Sequence, residues 1–173
     1  MAGLGLMHVY TGEGKGKTTA AFGLALRAWG RGLRVCIIQF MKHGETYGEI
    51  RAVRKLKGID LFQYGTGKWV GKDKHTREDE ALAREALAKA QEALTSGEYD
   101  VVVLDEVNVA TDFGLLKAED VLGVVRLRNK VEVVLTGRYA PKEFLDEADL
   151  VTEMRAVKHP YDSGVGARPG VEY

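Results

Sequence analysis

The chain has 173 residues, no formal net charge at pH 7, and ordinary proportions of apolar (45%) and charged (29%) residues. This length suits one domain with its own core, and this composition argues against disorder. A single cysteine excludes an internal disulfide framework, and no apolar run is long enough to span a membrane. We therefore expect one reduced, cytoplasmic domain, 1–173, with no membrane partner and, because the net charge is zero, no nucleic-acid partner.

Short apolar segments alternate with helical patterns along the chain. The segments predicted as strands are 4–10, 33–40, 59–64, 101–104, 131–135 and 150–154. The predicted helices are 18–29, 45–56, a helix between a Thr76 cap and a Gly97 stop, 118–127 and 141–145. This alternation predicts an α/β fold with a mostly parallel sheet and helices on both faces, in three αβα layers.

A glycine-rich loop, T-G-E-G-K-G-K-T-T at 11–19, joins the first strand to the first helix. Backbone N–H groups of such a loop can surround phosphate oxygens, and the helix dipole attracts the same anion. Lys17 can reach the terminal phosphates, and the Thr18 hydroxyl can bind a magnesium or manganese ion. The pattern G-x-x-x-x-G-K-[ST] has glycine where this chain has Thr11, so we expect a variant loop in a P-loop NTPase-like (RecA-like) domain.

Charged residues follow two of the predicted central strands. Asp105 and Glu106 come directly after 101–104, the position of the acid that serves the metal in P-loop folds. Either carboxylate can do so, directly or through water. Arg138 follows 131–135 and can also reach the phosphates, or form only a surface ion pair. Lys15 adds a second loop cation, which suits a polyphosphate unless it is simply solvated.

Charge is unevenly distributed along the chain. Residues 51–77 contain eight Lys or Arg against two Asp, whereas residues 78–120 contain twelve acidic against three basic residues. These stretches are either solvated faces or, for the basic one, the border of an anionic ligand. The basic stretch includes a second glycine-rich loop, 65–72, in which Trp69 either packs ordinarily or covers a flat ligand or a subunit interface.

Several strings of residues together resemble one family, the P-loop ATP:corrinoid adenosyltransferases. They lie at 10–22, 35–42 (with Q-F-M-K), 104–106, 136–138 and 157–165. The resemblance covers residues 7–173. The phosphate loop alone is shared by many NTPases, and the string G-K-G-K-T-T-A-A-F-G at 14–23 together with the V-K-H…G tail is more specific.

The resemblance implies transfer of the 5′-deoxyadenosyl group of ATP to cobalt(I) of a corrinoid, in cobalamin (vitamin B12) biosynthesis or salvage. Cobalt(I) would attack the ribose 5′ carbon and release triphosphate, with ATP held in the reverse sense of ordinary P-loop enzymes. Because cobalt(I) is itself the nucleophile, no general base is needed. Other partners that we expect are a flavodoxin-like reductant protein and a second copy in a homodimer.

The resemblance also assigns residues to roles. The triphosphate would be bound by Gly12, Glu13, Gly14, Lys15, Gly16, Lys17, Thr18 and Thr19, with Arg138 as a further candidate. Thr18 and Glu106 would hold magnesium. Lys15, Lys17 and Glu106 would be the catalytic residues, the two lysines by stabilising the charge of the leaving triphosphate and Glu106 through the metal. The corrinoid would face Gly67, Lys68 and Trp69, although this loop has one aromatic where the family often has two. The tail, 155–173, would wrap over the site.

Two other functions remain open at this point. One is a P-loop ATPase or kinase, or a RecA-like ATPase that binds nucleic acid through the basic stretch. The sequence shows neither a water-positioning residue beside the acid nor a motif for a second substrate. The other is a nucleotide-binding scaffold without catalysis.

Overall fold

The computed structural model describes residues 3–173, which contain six strands in one sheet. The strands are β1 (Met7–Thr11), β2 (Val35–Phe40), β3 (Ile59–Tyr64), β4 (Val101–Asp105), β5 (Glu132–Thr136) and β6 (Leu150–Glu153). The helices are α1 (Lys17–Gly30), α2 (Gly48–Val53), α3 (Arg77–Thr95), α4 (Val107–Asp112), α5 (Ala118–Val125) and α6 (Lys142–Glu147). Two short 3-10 helices cover Arg126–Arg128 and Pro160–Ser163.

The sheet has the order β3-β2-β4-β5-β1-β6, and every neighbouring pair of strands is parallel. Helices α3, α5 and α6 pack on one face, and α1 and α2 pack on the other. The three αβα layers predicted from the sequence are confirmed, and the sheet is parallel throughout. Among the helices of the described residues, none combines the length and apolar character that a membrane crossing requires.

The central strands are buried, which explains why they appear in the sequence as short apolar segments between helical patterns. All six residues of β2 are buried, because helices cover both faces of the sheet. The sequence did not predict α4, which starts directly after β4 and has only six residues. It starts at Glu106, whose positive φ of 67° turns the chain sharply without a capping side chain to signal the start.

The first strand begins later than predicted, at Met7 rather than Leu4. The backbone N–H groups of Gly5 and Leu6 both donate to the side-chain carboxylate of Glu132, each at 2.9 Å. A side chain of β5 therefore takes these N–H groups before the strand begins, and the periodicity of residues 4–10 does not reveal this contact.

Helix α3 begins as the sequence predicts. The Thr76 hydroxyl accepts a hydrogen bond from the Asp79 backbone at 3.2 Å, and the Asp79 carboxylate accepts one from the Thr76 backbone at 2.8 Å. This reciprocal pair is a capping box. Burial opposes ionisation of Asp79, but the hydrogen bonds from Thr76 and Thr66 hold its pKa below the usual value.

Candidate active site

A cavity of about 1100 Å³ lies where the carboxyl ends of the strands meet. Residues that follow four strands reach its wall: the loop 13–19 after β1, Lys42 after β2, Glu106 after β4 and Arg138 after β5. Parallel strands all end at the same edge, so the topology gathers these residues although they are distant in sequence.

The three alternate glycines of the phosphate loop are required for different reasons. Gly12 and Gly16 have positive φ angles of 95° and 119°, which other residues rarely adopt. Gly12 and Gly14 also face the chain that leaves β6: a Cβ on Gly14 would lie 2.7 Å from the Met154 carbonyl oxygen. The Gly14 N–H donates to that same oxygen at 2.6 Å. The loop is therefore fixed by a tertiary contact as well as by glycine's backbone freedom.

Lys17 folds back onto its own loop. Its ammonium group donates to the carbonyl oxygens of Gly12, at 2.6 Å, and Gly14, at 2.7 Å. Burial and the positive charge of Arg138 lower the pKa of Lys17. Within residues 3–173 no side chain caps α1, so its first N–H groups remain available to an anion beside this ammonium.

Asp105 is the centre of a buried polar cluster. It is fully buried and accepts four hydrogen bonds. The hydroxyls of Thr18 and Thr136 donate to Oδ1 at 2.9 and 2.6 Å, and Gln39 Nε2 and Lys42 Nζ donate to Oδ2 at 2.8 and 2.7 Å. Although burial disfavours the charge, Lys42 and these hydrogen bonds keep the pKa of Asp105 below its usual value.

The two adjacent carboxylates have different environments. Asp105 is enclosed and bonded to the Thr18 hydroxyl, whereas Glu106 lines the cavity. Burial, assisted by the negative charge of Asp105, raises the pKa of Glu106 against the opposing charge of Lys42. Oxygen atoms of Thr18, Asp105 and Glu106 all lie within 3.6 Å of the Lys42 ammonium. Such a set of hard oxygen donors fits magnesium.

Sequence reasoning missed three members of this cluster, Gln39, Lys42 and Thr136. Gln39 is a polar residue inside an otherwise apolar strand, and it is almost completely buried. A buried polar side chain requires hydrogen-bond partners, and this was the available signal. Lys42 and Thr136 sit at strand ends, where only the tertiary structure shows which way they point.

The second loop lysine and the arginine are engaged in ion pairs. Lys15 donates to the Glu172 carboxylate and to the Val171 carbonyl oxygen, each at 2.8 Å, so the tail lies against the phosphate loop. Arg138 pairs with Glu13 at 3.2 Å, both half-exposed at the cavity. The surface ion pair that the sequence left open for Arg138 is present, and its guanidinium still reaches the cavity wall.

Of the three residues assigned to the corrinoid, one lines the cavity and two do not. Trp69 lines the cavity but is 77% exposed, so it does not pack in the core. Its ring lies against Gly71, where a Cβ would overlap it. Gly67 and Lys68 lie in the same loop but not among the cavity-lining residues. Of the two alternatives for Trp69, covering a ligand or an interface fits its exposure better than ordinary packing.

Comparison with known proteins decides the family. The model of the ATP:corrinoid adenosyltransferase BtuR/CobO/CobP family matches residues 4–173. The chain belongs to this family. This adenosyltransferase is 39% identical to the corrinoid adenosyltransferase of Escherichia coli K12 over 172 residues, covering 98% of this chain and 86% of that protein. It is 36% identical to corrinoid adenosyltransferase CobA of Salmonella typhimurium, with the same coverage of both chains.

The predicted activity is thereby confirmed, and the alternatives are not supported. The protein is a corrinoid adenosyltransferase of cobalamin biosynthesis or salvage, with ATP and a corrinoid as its substrates. The crystal structure of the flagellar accessory protein FlaH from Methanocaldococcus jannaschii has a similar fold, with a TM-score of 0.59 and 14% identity. That alignment covers 87% of this chain and 71% of FlaH, and it confirms the predicted RecA-like fold alone.

Proposed function

We propose that this adenosyltransferase binds the ATP triphosphate in the loop 12–19, with its corrinoid against Trp69. The observation that carries the proposal is that Lys17, Thr18, Glu106 and Trp69 line the same cavity. Phosphate ligands, metal ligands and an exposed aromatic face are thus available within one enclosed space.

The main task of the protein is to stabilise the negative charge of the departing triphosphate. Lys17, Lys15 and the N–H groups at the start of α1 supply positive charge directly, and Arg138, which lines the same cavity, adds to it. Magnesium, held by Thr18 and Glu106, supplies further neutralisation when bound. The Thr18 hydroxyl donates a hydrogen bond to Asp105, and this orients its oxygen so that a lone pair can face a metal.

The remaining demand is alignment of the ribose 5′ carbon with cobalt(I). Trp69 and the tail residues Val171 and Glu172 form part of the cavity wall. This enclosure favours a fixed approach and limits access of water to the reduced metal. Delivery of the electron by a flavodoxin-like protein, a homodimeric state and a cytoplasmic location stay predictions.

The test is direct. The protein is incubated with ATP, magnesium and a chemically reduced corrinoid, and the corrinoid absorbance is followed while the phosphate product is analysed. We expect a cobalt–carbon bond and intact triphosphate in equal amounts, and neither in a mixture without ATP. Release of orthophosphate or diphosphate without a cobalt–carbon bond contradicts the proposal.

A further inference from the structure

The Lys42 ammonium lies among the oxygen atoms that we assign to the metal. Nζ is 2.7 Å from Asp105 Oδ2, 3.3 Å from Thr18 Oγ1 and 3.6 Å from Glu106 Oε1. A divalent cation held by Thr18 and Glu106 must therefore share this space with a positive charge. The proposed mechanism gives Lys42 no role, so its position needs its own explanation.

The chain holds Lys42 in this place by several independent features. Met41, just before it, has a positive φ of 58°, an unfavourable conformation for a residue with a side chain. Gly65 allows the close approach, because a Cβ there would lie 2.5 Å from the Met41 carbonyl carbon. The ring of Tyr47 faces the ammonium at 5.9 Å. A strained residue and a required glycine together indicate a built position rather than a chance contact.

The charge balance of the cluster follows from this position. One ammonium compensates the buried carboxylate of Asp105 and faces the carboxylate of Glu106. A buried charge is costly without its partner, so removal of the lysine would leave the negative charge of these carboxylates uncompensated. With Lys42 present, a free divalent cation meets a group of the same sign at contact distance.

We propose that Lys42 is a resident counterion that excludes free divalent metal, so that metal enters the site only together with ATP. The triphosphate provides new anionic partners for the ammonium, which already lies next to Thr18 of the phosphate loop. The metal can then replace the ammonium beside the carboxylates, and the negative charge of the carboxylates stays compensated. This inference rests on the proposed assignment of Thr18 and Glu106 as metal ligands.

The experiment measures metal binding itself, by titration of the protein with Mn²⁺ alone, followed by electron paramagnetic resonance and calorimetry. We expect Lys42→Met to bind Mn²⁺ at one saturable site, with an affinity at least about 100-fold above that of the parent protein, whose binding does not saturate over the same range of Mn²⁺ concentration. Lys142→Met is the matched control, because it removes an equal charge from the exposed Lys142–Asp146 pair. It should behave as the parent does.

A second variant guards against a folding defect. Lys42→Met/Asp105→Asn removes both charges of the buried pair and should fold, as judged by circular dichroism and thermal melting. It should bind Mn²⁺ more weakly than Lys42→Met. A parent protein that binds Mn²⁺ as tightly as Lys42→Met overturns the proposal, as does a folded Lys42→Met that binds none.

Failure of the underlying assignment gives a different result. Mn²⁺ titrated together with ATP should bind the parent protein, and Glu106→Gln should weaken that binding. If Glu106→Gln leaves the binding of Mn²⁺ with ATP unchanged, the proposed metal ligands are wrong. The titrations of Lys42→Met without nucleotide test the role of Lys42 separately.

Discussion

The Lys17 ammonium donates hydrogen bonds to the carbonyl oxygens of Gly12 and Gly14. We propose that the triphosphate binds at this place. Burial and the positive charge of Arg138 lower the pKa of Lys17. Exchange of two neutral carbonyl acceptors for phosphate oxygens strengthens its hydrogen bonds, since both partners are then charged.

Lys17→Ala should therefore lower the turnover rate at saturating ATP by about 100-fold or more, the usual cost of removing one donor to a leaving group. The rate of cobalt–carbon bond formation is the measurement. Lys142→Met serves again as a charge-matched control remote from the cavity. A Lys17→Ala rate equal to that of the parent contradicts the assigned role.

At the scale of the single element, helix α3 is specified by residues that are close together in the sequence. Its start is determined by the reciprocal hydrogen bonds of Thr76 and Asp79, and its buried face by Ala86, Ala90 and Leu94. This helix covers β2, β3 and β4 on one face of the sheet. Loss of the cap therefore weakens the helix that packs against the strands carrying Gln39 and Asp105.

Thr76→Ala should lower the free energy of unfolding by about 1 kcal/mol at neutral pH, the typical value of an N-cap. Because the folded-state pKa of Asp79 is lowered, its contribution is present above the ordinary aspartate pKa and is lost as the pH falls. The difference between variant and parent should thus shrink from neutral pH towards about pH 3. Urea denaturation at both pH values measures it.

Thr95→Ala is the control for this prediction. Thr95 ends the same helix, and its hydroxyl donates to the Gln91 carbonyl oxygen without capping the start. Thr95→Ala should lower the free energy of unfolding by less than Thr76→Ala does, and this decrease should depend little on pH. An equal loss for the two variants, or a Thr76→Ala loss that grows at acid pH, contradicts the capping interpretation.

At the scale of the whole molecule, the tail of the chain meets the first loop at the site. Lys15 in the first loop and Glu172, 157 positions later, form an ion pair at 2.8 Å. Hydrogen bonds from Arg168 and Lys15 hold the pKa of Glu172 below its usual range, so this carboxylate is charged beside the loop that we propose binds the triphosphate. If the loop binds the triphosphate as we propose, the tail competes with the triphosphate for the Lys15 ammonium.

Glu172→Gln should tighten ATP binding by about threefold, since an exposed ion pair of this kind has a small energy. The KM for ATP is the measurement, and the turnover rate should change less. Glu143→Gln, which removes a negative charge from the exposed first turn of α6, is the control. An unchanged or increased KM in Glu172→Gln would show that the tail does not compete with the nucleotide.

The sequence alone determined the order of strands and helices, the phosphate loop and the family, because each depends on residues that are close together along the chain. Periodicity and capping are local, and so is the string at 14–23. The limits of β3 were predicted as observed. Helix α4 escaped prediction because a left-handed Glu106, rather than a capping residue, starts it.

Only the tertiary structure decided how the site is assembled. Thr18 and Lys42 meet Asp105 from positions 87 and 63 residues away, because parallel strands end at one edge of the sheet. The same folding brings Met154 against Gly14 and Glu172 against Lys15. Direction and distance between such residues are properties of the packed layers, and a linear pattern of residue types does not contain them.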